Sequence, residues 1–508
     1  MVFLRNPIGA AELQGFRMAM GQQDETIAFL WDASHCGSPG ASIERIETHC
    51  SIVFLAGDRA YKLKRSVAFS ALDYSTIERR EAACRAELEL NRRTASELYL
   101  GIQAIRRTRT GALAFDGEGP AVDWVVVMRR IDQDDLFDHL ADARRLTPEM
   151  IRVLADEIAR FHEAAERTPG FGGADGIRAA IERNHCDQLT FESVLGCAGV
   201  KALHETSLAA LGRAARLLDR RRGEGKVRRC HGDLRLANIC LFDDRPMLFD
   251  AIEFSDQISC IDVLFDLAFL LMDLYHRGHG VFANILFNRY ADMTGDFQGL
   301  AVLPLMLSVR AATRAYTLAG AVQRHPREDE ARTYTAAARS HLALASSLLA
   351  PVSPRLIAIG GVCGSTKASM AYELAATFQP APGARVLRGN IARMEFPHLP
   401  ANARLPVADD AMAGRVYERL AAEAEQVLRT GFTAIVDASF VQRAHRRAIS
   451  TVASTASVPF VGLWLGPSRE LQGDDEAGAG EWHAIQPGPG LSTMLAAARG
   501  LAHAGSTA

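Results

Sequence analysis

Three polar residues in one short stretch have the types and the order that phosphoryl transfer requires. Asp233 follows His231 and Gly232, Asn238 comes five residues later, and Asp250 ends a second apolar run. A carboxylate can accept or orient the proton of an attacking hydroxyl. An amide oxygen and a second carboxylate are suitable ligands for Mg²⁺ on nucleotide phosphates. The spacing predicts Asp233 as the catalytic base, Asn238 and Asp250 as magnesium ligands, and ATP with Mg²⁺ as cofactors.

The elements around these residues favour a rigid support for them. Apolar residues 239–242 and 247–249 flank the turn 243–246, which predicts a hairpin. Upstream, residues 51–64 read as two strands around Gly57 and Asp58, and residues 76–96 read as a helix. A strand at 122–131 then leads into an acidic crossover, and the chain to about residue 345 is mainly helical apart from the hairpin.

The stretch His231–Asn238, with the strand that ends at Asp250, resembles the catalytic segment of the aminoglycoside phosphotransferase-like kinases. These kinases favour His-Gly-Asp where protein kinases usually have His-Arg-Asp. The resemblance covers most of residues 45–345 and implies an α+β bilobal protein-kinase-like domain. It also implies a small-molecule acceptor for the phosphoryl group.

The resemblance implies a lysine on an early strand that holds the nucleotide phosphates, and a helix glutamate that pairs with it. Lys62 is the candidate lysine, and Lys64, which has the same strand parity, is the alternative. Glu87 is the candidate partner, with Glu81 and Glu89 as alternatives. No glycine-rich G-x-G-x-x-G segment lies before this strand, so the turn at 48–51 is expected to cover the phosphates. Arg235 stands where relatives often have histidine, either in contact with a phosphate or at the rim of the site.

Asp262 and Asp266 lie four residues apart, a spacing that places both on one face of a helix. Two interpretations stay open: support of the catalytic loop or of a substrate amine, and a purely structural role in which a carboxylate fixes a backbone turn.

A second domain follows a proline-containing linker at 349–355. An apolar strand, a glycine-rich loop and a helix then predict a P-loop fold over 356–470. Gly364 and Lys367 are the candidate nucleotide-binding residues. Two changes weaken the motif: Thr366 replaces the glycine before the lysine, and Ala368 replaces the hydroxyl residue that binds Mg²⁺.

Further changes support a degenerate P-loop domain. Asn390 stands where similar sequences carry aspartate, whereas Asp437 keeps its place at a strand end. The arginine-rich lid seen in similar proteins is missing after Arg469. The whole chain resembles bacterial proteins that fuse an aminoglycoside phosphotransferase-like domain to an α/β P-loop NTPase-like domain.

Composition limits the remaining possibilities. The 508 residues are 48% hydrophobic and 23% charged with a net charge of −3, which indicates a globular chain and argues against nucleic acid as a partner. Nine scattered cysteines without a C-x-x-C pair fit a reducing cytoplasm, and no segment reads as a membrane span. Residues 1–25 are predicted to be an extension, 26–348 the kinase domain and 471–508 a low-complexity tail. The oligomeric state is left open.

Three functions are consistent with these patterns. The first is an ATP-dependent kinase that phosphorylates a hydroxyl of a small molecule through its N-terminal domain. The second is a nucleotide-responsive regulatory or scaffold protein with little turnover. The third places catalysis in the C-terminal domain, against which Thr366 and Ala368 count. Intact Asp233, Asn238 and Asp250 favour the first.

Overall fold

The structure is a computed structural model that describes residues 23–32, 35, 42–48, 50–69, 72–324, 327–361, 364–389, 410–467, 471, 482–486 and 491–503. The chain divides into two compact units. The first unit comprises residues 1–273 and 305–349, and the second comprises residues 274–304 and 350–508.

The first unit begins with a six-stranded antiparallel sheet in the order β1-β2-β3-β8-β6-β7. Its elements are α1 (Asp24–Trp31), β1 (Glu44–Glu47), β2 (Ser51–Ala56), β3 (Arg59–Lys64), the short pair β4 (Ala68–Phe69) and β5 (Leu72–Asp73), α2 (Ile77–Ala95), β6 (Tyr99–Arg107), β7 (Leu113–Phe115) and β8 (Ala121–Arg129). Every residue of β2 is buried, because its two faces contribute to two different apolar clusters. One of these clusters includes Cys84 of α2, which packs on one face of the sheet.

Helices dominate the rest of the first unit. They are α3 (Phe137–Asp142), α4 (Pro148–Ala164), α5 (Gly173–Thr190), α6 (Glu192–Leu195), α7 (Cys197–Gly223), α8 (Asp256–Ser259), most of α9 (Val263–His276), α11 (Leu303–Arg324) and α12 (Glu328–Ser347). Thr147 caps α4 by accepting a hydrogen bond from the amide of Met150, and Pro148 occupies the first turn, where a missing N–H costs least.

Two small antiparallel ribbons interrupt the helices and carry the motif residues. β9 (Val227–Arg229) pairs with β12 (Cys260–Asp262), and β10 (Ile239–Phe242) pairs with β11 (Arg245–Leu248). Asp243 and Asp244 both have positive φ, as a two-residue hairpin turn requires. The predicted hairpin is therefore present, and β10 begins directly after Asn238.

The second unit is built on a five-stranded parallel sheet in the order β14-β15-β13-β16-β17. Its elements are α10 (Gly280–Thr294), β13 (Leu356–Gly361), α13 (Gly364–Ala375), β14 (Arg385–Arg388), α14 (Asp410–Arg429), β15 (Ala434–Asp437), α15 (Arg443–Thr455), β16 (Phe460–Leu465), β17 (Trp482–Ile485) and α16 (Leu491–His503). The central strand β13 is buried along its whole length, as expected for a parallel strand covered on both faces.

The tail predicted for 471–508 contains β17, which extends the parallel sheet beside β16, and α16, which buries Met494, Leu495 and Ala498. The glycines and acidic residues around these elements masked their apolar pattern. Helix α10 lies within the sequence predicted as the kinase domain, and its contacts group it with the second unit.

Helix α10 carries polar side chains that satisfy the edge strand β14. Asn288 accepts a hydrogen bond from the amide of Val386 at 2.7 Å, and Asn284 donates to the carbonyl of Ala384 at 3.0 Å. Asp292 forms a buried ion pair with Arg385. The second unit is therefore discontinuous in sequence.

The chain thus consists of an α+β bilobal kinase-like domain and an α/β P-loop-like domain, as its sequence predicts. Among the described residues, no helix is both long enough and apolar enough to cross a bilayer.

Candidate active site

The catalytic loop of the first unit is held by buried hydrogen bonds. Gly232 has a φ of +85°, and a side chain there would meet Ile252 at 3.1 Å, so the tight turn requires glycine. The ring Nε2–H of His231 donates to the carbonyl of Phe249 at 2.9 Å, which joins the loop to the residue before Asp250.

Asp266 supports the same loop from α9. Its carboxylate accepts the amides of His231 at 3.0 Å and Gly232 at 2.9 Å, and it contacts Nε2 of His162 at 3.1 Å. Burial alone would raise the pKa of Asp266, but the hydrogen bond from His162 and nearby positive charge lower it to about 2. Asp266 therefore stays ionised. It supports the catalytic loop by fixing the backbone turn at His231 and Gly232.

Asp262 has a different role. It lies at the end of β12 and pairs with Arg221 through two hydrogen bonds of 2.7 and 2.8 Å.

Asp233 is buried and surrounded by donors. Arg235 donates to its two carboxylate oxygens at 2.8 and 2.9 Å, and the amide nitrogen of Asn238 donates at 2.7 Å. Burial disfavours the charged guanidinium, yet Asp233 outweighs this and raises the pKa of Arg235. Arg235 therefore lies at the centre of the site rather than at its rim. These donors orient the carboxylate of Asp233.

Lys62 joins the sheet, the helix α2 and the second carboxylate of the motif. Its Nζ lies 2.7 Å from Glu87 and 2.5 Å from Asp250. Burial would raise the pKa of Glu87, but the ammonium groups of Lys62 and Lys64 lower it to about 2. The predicted pair of Lys62 and Glu87 is thus brought together, in direct contact with Asp250.

Lys64 shares Glu87 but points to different neighbours. It contacts the other oxygen of Glu87 and pairs with Glu253, to which the hydroxyl of Tyr74 also donates. Only Lys62 of the two contacts Asp250, so its position fits a phosphate-binding lysine better. Glu81 pairs instead with Arg85 on the exposed face of α2.

Asp250 is held in an unusual backbone conformation. Its φ of +63° is rare for a residue with a side chain and is typical of functional sites. Its amide donates to the hydroxyl oxygen of Tyr99 at 3.2 Å, and the next amide, of Ala251, donates to Asn91 at 2.8 Å. Burial raises the pKa of Asp250, although the charge of Lys62 opposes this.

The chemistry of these side chains fits a magnesium ion. Asn238 uses its amide nitrogen for two bonds to Asp233, one to the backbone carbonyl and one to the carboxylate, which leaves its carbonyl oxygen for a ligand. Asp250 supplies a carboxylate, and Mg²⁺ prefers such oxygen donors together with nucleotide phosphates. A bound cation would also stabilise the charged carboxylate of Asp250 and so oppose the rise in its pKa that burial causes.

Two cavities of the first unit flank this cluster. A narrow apolar cleft between the sheet and the end of the β10–β11 hairpin is lined by Leu55, Ala60, Met128, Ile131 and Phe249. On the other side of the loop lies a cavity of about 100 Å³, called here the Asp233 cavity. Its walls include Ile177, Asp233, Ile252, Phe265, Phe269 and Arg310.

The glycine-rich segment of the second unit is arranged differently. Gly364 begins α13, and Lys367 lies in its first turn. The ammonium of Lys367 donates to the carbonyl of Ala438 at 2.8 Å and lies 3.6 Å from Asp437. Burial raises the pKa of Asp437 despite this lysine. Lys367 is thus directed at the end of β15; Asn390 and Arg469 lie outside the described residues.

Several contributors were not recognised in the sequence. Tyr99, Asn91 and Glu253 have no motif of their own, although Glu253 lies three residues after Asp250. Arg310 also lies outside every motif in the sequence. Among these residues, only Glu253 could have been found from the sequence, because it is a polar residue close to the motif residue Asp250.

Comparison with known proteins agrees with this architecture. The phosphotransferase enzyme family matches residues 73–303, and an AAA domain matches residues 356–475. The uncharacterized protein Rv2004c of Mycobacterium tuberculosis is 30% identical over 432 residues, which cover 82% of each chain. The uncharacterized protein Mb2027c of Mycobacterium bovis matches to the same extent.

Solved structures are similar over the kinase-like part. A choline/ethanolamine kinase family protein from Mesorhizobium loti is 15% identical with a TM-score of 0.38, covering 64% of this chain and 99% of its own. A putative aminoglycoside phosphotransferase from Ralstonia eutropha is 15% identical with a TM-score of 0.36, covering 63% and 98%.

Fold, motif order and domain matches define a phosphotransferase-type kinase domain joined to a P-loop kinase-like domain. The chain belongs to the same family as Rv2004c of Mycobacterium tuberculosis.

Proposed function

We propose that this protein is an ATP-dependent kinase that transfers the γ-phosphoryl group to a hydroxyl of a small molecule, and that its first unit performs the reaction. The observation that carries the proposal is the convergence of Asp233, Asn238, Asp250 and the Lys62–Glu87 pair on one cluster. These five side chains come from three separate segments, and each is fixed by its own buried partners.

The proposed reaction breaks one bond and forms one. The acceptor hydroxyl oxygen attacks the γ-phosphorus of ATP, its proton passes to Asp233, and the bond between the γ-phosphorus and the bridging oxygen breaks to release ADP. Asp233 has lone pairs left for the hydroxyl, because each carboxylate oxygen can accept more than one hydrogen bond. Its hydrogen bonds to Arg235 and Asn238 fix the direction from which it receives the proton.

Lys62 and the apolar cleft bind the nucleotide in this proposal. The adenine ring would enter the cleft beside Met128 and Phe249, and the ammonium of Lys62 would bind phosphate oxygens while Glu87 holds it in place. Asn238 and Asp250 would hold Mg²⁺, which neutralises phosphate charge and orients the leaving group when it is bound.

The test is an ADP-release assay of the full chain with ATP, Mg²⁺ and a library of hydroxylated metabolites. We expect at least one compound to raise ADP release and to appear as a phosphate ester by mass spectrometry. Asp233→Asn should lower kcat on that compound about 10²- to 10⁴-fold while ATP still binds, the usual range for a lost general base.

Asp244→Asn is the matched control, since Asp244 is an exposed residue of the β10–β11 turn and asparagine tolerates its positive φ. Wild-type turnover by Asp233→Asn on an identified acceptor would refute the assignment of the base. A phosphate ester formed equally well after Lys367→Ala but not after Asp233→Asn assigns the reaction to the first unit.

A further inference from the structure

The Asp233 cavity contains a buried cation that the proposed reaction does not use. Arg310 projects from α11 and is only 5% exposed. Its Nε donates to the carbonyl of Phe265 at 3.0 Å, but its buried Nη2 donates to no acceptor within the described part of the chain. A buried guanidinium N–H without an acceptor is costly, so a ligand oxygen in the cavity would stabilise it.

Arg310 remains charged in this environment. Burial lowers its pKa to about 10, which the nearby carboxylates of Asp266 and Asp233 partly oppose. The guanidinium is therefore protonated at neutral pH. The carboxylate of Asp266 is already occupied by two backbone amides and His162.

The carboxylates of the cavity wall are also occupied. Asp262 is bound through two hydrogen bonds by Arg221, and Asp233 is bound in the same way by Arg235. Arg183, exposed at the opening, adds a second positive charge to Arg310. The charged groups that remain to meet an acceptor are thus positive, beside apolar residues and neutral polar ones such as Gln257 and Thr313.

The aromatic wall does not favour a cationic acceptor either. The carbon at the centre of the Arg310 guanidinium lies 3.9 Å from the ring centroid of Phe265 and 4.7 Å from that of Phe269. Ring faces of this kind attract ammonium ligands. Arg310 already covers both rings, so an ammonium group would meet a like charge instead of a free face.

Resting on the proposed function, we infer that the Asp233 cavity selects a compact acceptor alcohol that carries an anionic oxygen group, a carboxylate or a phosphate, and that Arg310 binds this group. Asp233 receives the hydroxyl proton at one end of the cavity, and the guanidinium fixes the anion. The apolar residues Ile177, Ile252 and Ile261 enclose the carbon skeleton. Arg310 is a specificity-determining residue in this scheme, since it contacts a part of the acceptor that does not react.

Four probes that differ only in one group test this inference: glycerol, 3-amino-1,2-propanediol, glycerate and glycerol 3-phosphate. Their binding to the full chain is measured by calorimetry with ADP and Mg²⁺, so that no turnover is needed. We expect glycerate or glycerol 3-phosphate to bind about 10- to 100-fold more tightly than the neutral and cationic probes, the range for one charged hydrogen-bonded contact. Comparing the two anions shows whether a carboxylate or a phosphate is the preferred group.

Variants of Arg310 connect the preference to this side chain. Arg310→Gln should remove the preference for anions, Arg310→Lys should restore part of it, and neither should change ADP affinity. Arg314→Gln is the matched control, because Arg314 lies one turn away on α11 and donates to Thr317. If Arg310→Gln does not fold, the comparison of probes on the wild type and on Arg310→Lys remains decisive.

The outcomes separate this inference from the proposed function. Tight binding of the amine or of glycerol, binding of none of the probes at millimolar concentration, or an anion preference that survives Arg310→Gln would overturn the inference even if a neutral metabolite is phosphorylated. Anion binding that depends on Arg310 but leads to no phosphate ester of any acceptor would support the inference and count against the kinase proposal.

Discussion

Each unit of this protein has a buried lysine near a carboxylate at a strand end, but the two lysines have different partners. Lys62 lies between Glu87 and Asp250, at 2.7 and 2.5 Å. Lys367 donates to the backbone carbonyl of Ala438 and lies 3.6 Å from Asp437. In the first unit, a second carboxylate holds the lysine beside the magnesium-binding candidates. In the second, the contacts of the lysine include a backbone carbonyl as well as one strand-end carboxylate.

The difference indicates that the motif position of a lysine does not by itself fix its surroundings. Lys62 is oriented by Glu87 of α2 and by Asp250 after β11, so its ammonium is preorganised beside two carboxylates. Lys367 lies in the first turn of α13, where Thr366 and Ala368 replace the glycine and the hydroxyl residue of the P-loop motif. Matched substitutions in the two units test this contrast.

The largest difference between the units should appear when their strand-end carboxylates, Asp250 and Asp437, are replaced. Asp250→Ala should lower kcat on an identified acceptor at least about 100-fold, because stabilisation by a bound metal is worth several kcal/mol. It should also abolish the Mg²⁺-dependent tightening of ATP binding in calorimetry. Asp437→Ala in the second unit should change kcat less than about 3-fold. Unchanged Mg²⁺ dependence of ATP binding after Asp250→Ala would contradict the role of Asp250 as a magnesium ligand.

The loop support provided by Asp266 should show in hydrogen exchange. Asp266→Asn should lower the protection of the His231 and Gly232 amides about 10- to 100-fold at neutral pH, since one carboxylate now accepts both. Asp256→Asn, which alters an exposed ion pair with Arg229, should leave these amides protected. Equal protection in both variants would mean that the turn is held by other contacts.

The same carboxylate sets a pH dependence. The pKa of Asp266 is about 2 in the folded chain and 3.8 ordinarily, so the protein binds this proton more weakly when folded. The stabilisation, of roughly 2 to 3 kcal/mol, is complete above about pH 4 and is lost as the pH falls towards 2. Protection of the two amides, corrected for intrinsic exchange, should fall in that window in the wild type and fall less in Asp266→Asn.

Replacing Lys62 and replacing Lys367 should give KM values for ATP that differ by about one to two orders of magnitude. Lys62→Met should raise the KM for ATP about 10- to 100-fold, the range for one charge-assisted hydrogen bond. Lys367→Met should leave that KM within about 2-fold. Lys64→Met, which removes a partner of Glu253, should lower Tm, and it should raise the KM for ATP less than Lys62→Met does. A larger KM effect at Lys64 than at Lys62 would exchange their roles.

The smallest effect should be a gain of function in the second unit. Thr366→Gly combined with Ala368→Ser, in a full chain that also carries Lys62→Met, should tighten ATP binding about 2- to 10-fold, as expected for one or two restored hydrogen bonds. Lys367→Ala in the same background should cancel the gain. Absence of any gain would count against Thr366 and Ala368 as causes of weak nucleotide binding in this unit.

The sequence predicted the site most accurately where the chemistry is local. Asp233, Asn238 and Asp250 lie in one stretch, so a single hairpin fixes their relation. Lys62 and Glu87 could be predicted from the order of strand and helix, but the sharing of Glu87 by Lys64 could not. Strand parity places both lysines on one face, and only the packing of α2 decides which oxygen each one meets.

Residues that reach the site from distant helices were not predictable. Arg310 lies in a mostly apolar helix with scattered polar residues, and nothing in its spacing shows that its side chain faces a cavity. The same limit applies to the C-terminal end of the chain, where short elements lie between glycine-rich stretches. Their burial depends on a parallel sheet whose other strands lie far away in sequence.

The position of α10 has a practical consequence for dividing the protein. A fragment that starts at the proline-containing linker would contain Arg385 without Asp292, its ion-pair partner. An unpaired buried charge costs about 3 to 5 kcal/mol, a large part of the stability of an ordinary domain. Asn284 and Asn288, which bind the backbone beside β14, would be lost with it. Because the two units alternate along the chain, with the segment 274–304 in the second and residues 305–349 in the first, no single cut separates them.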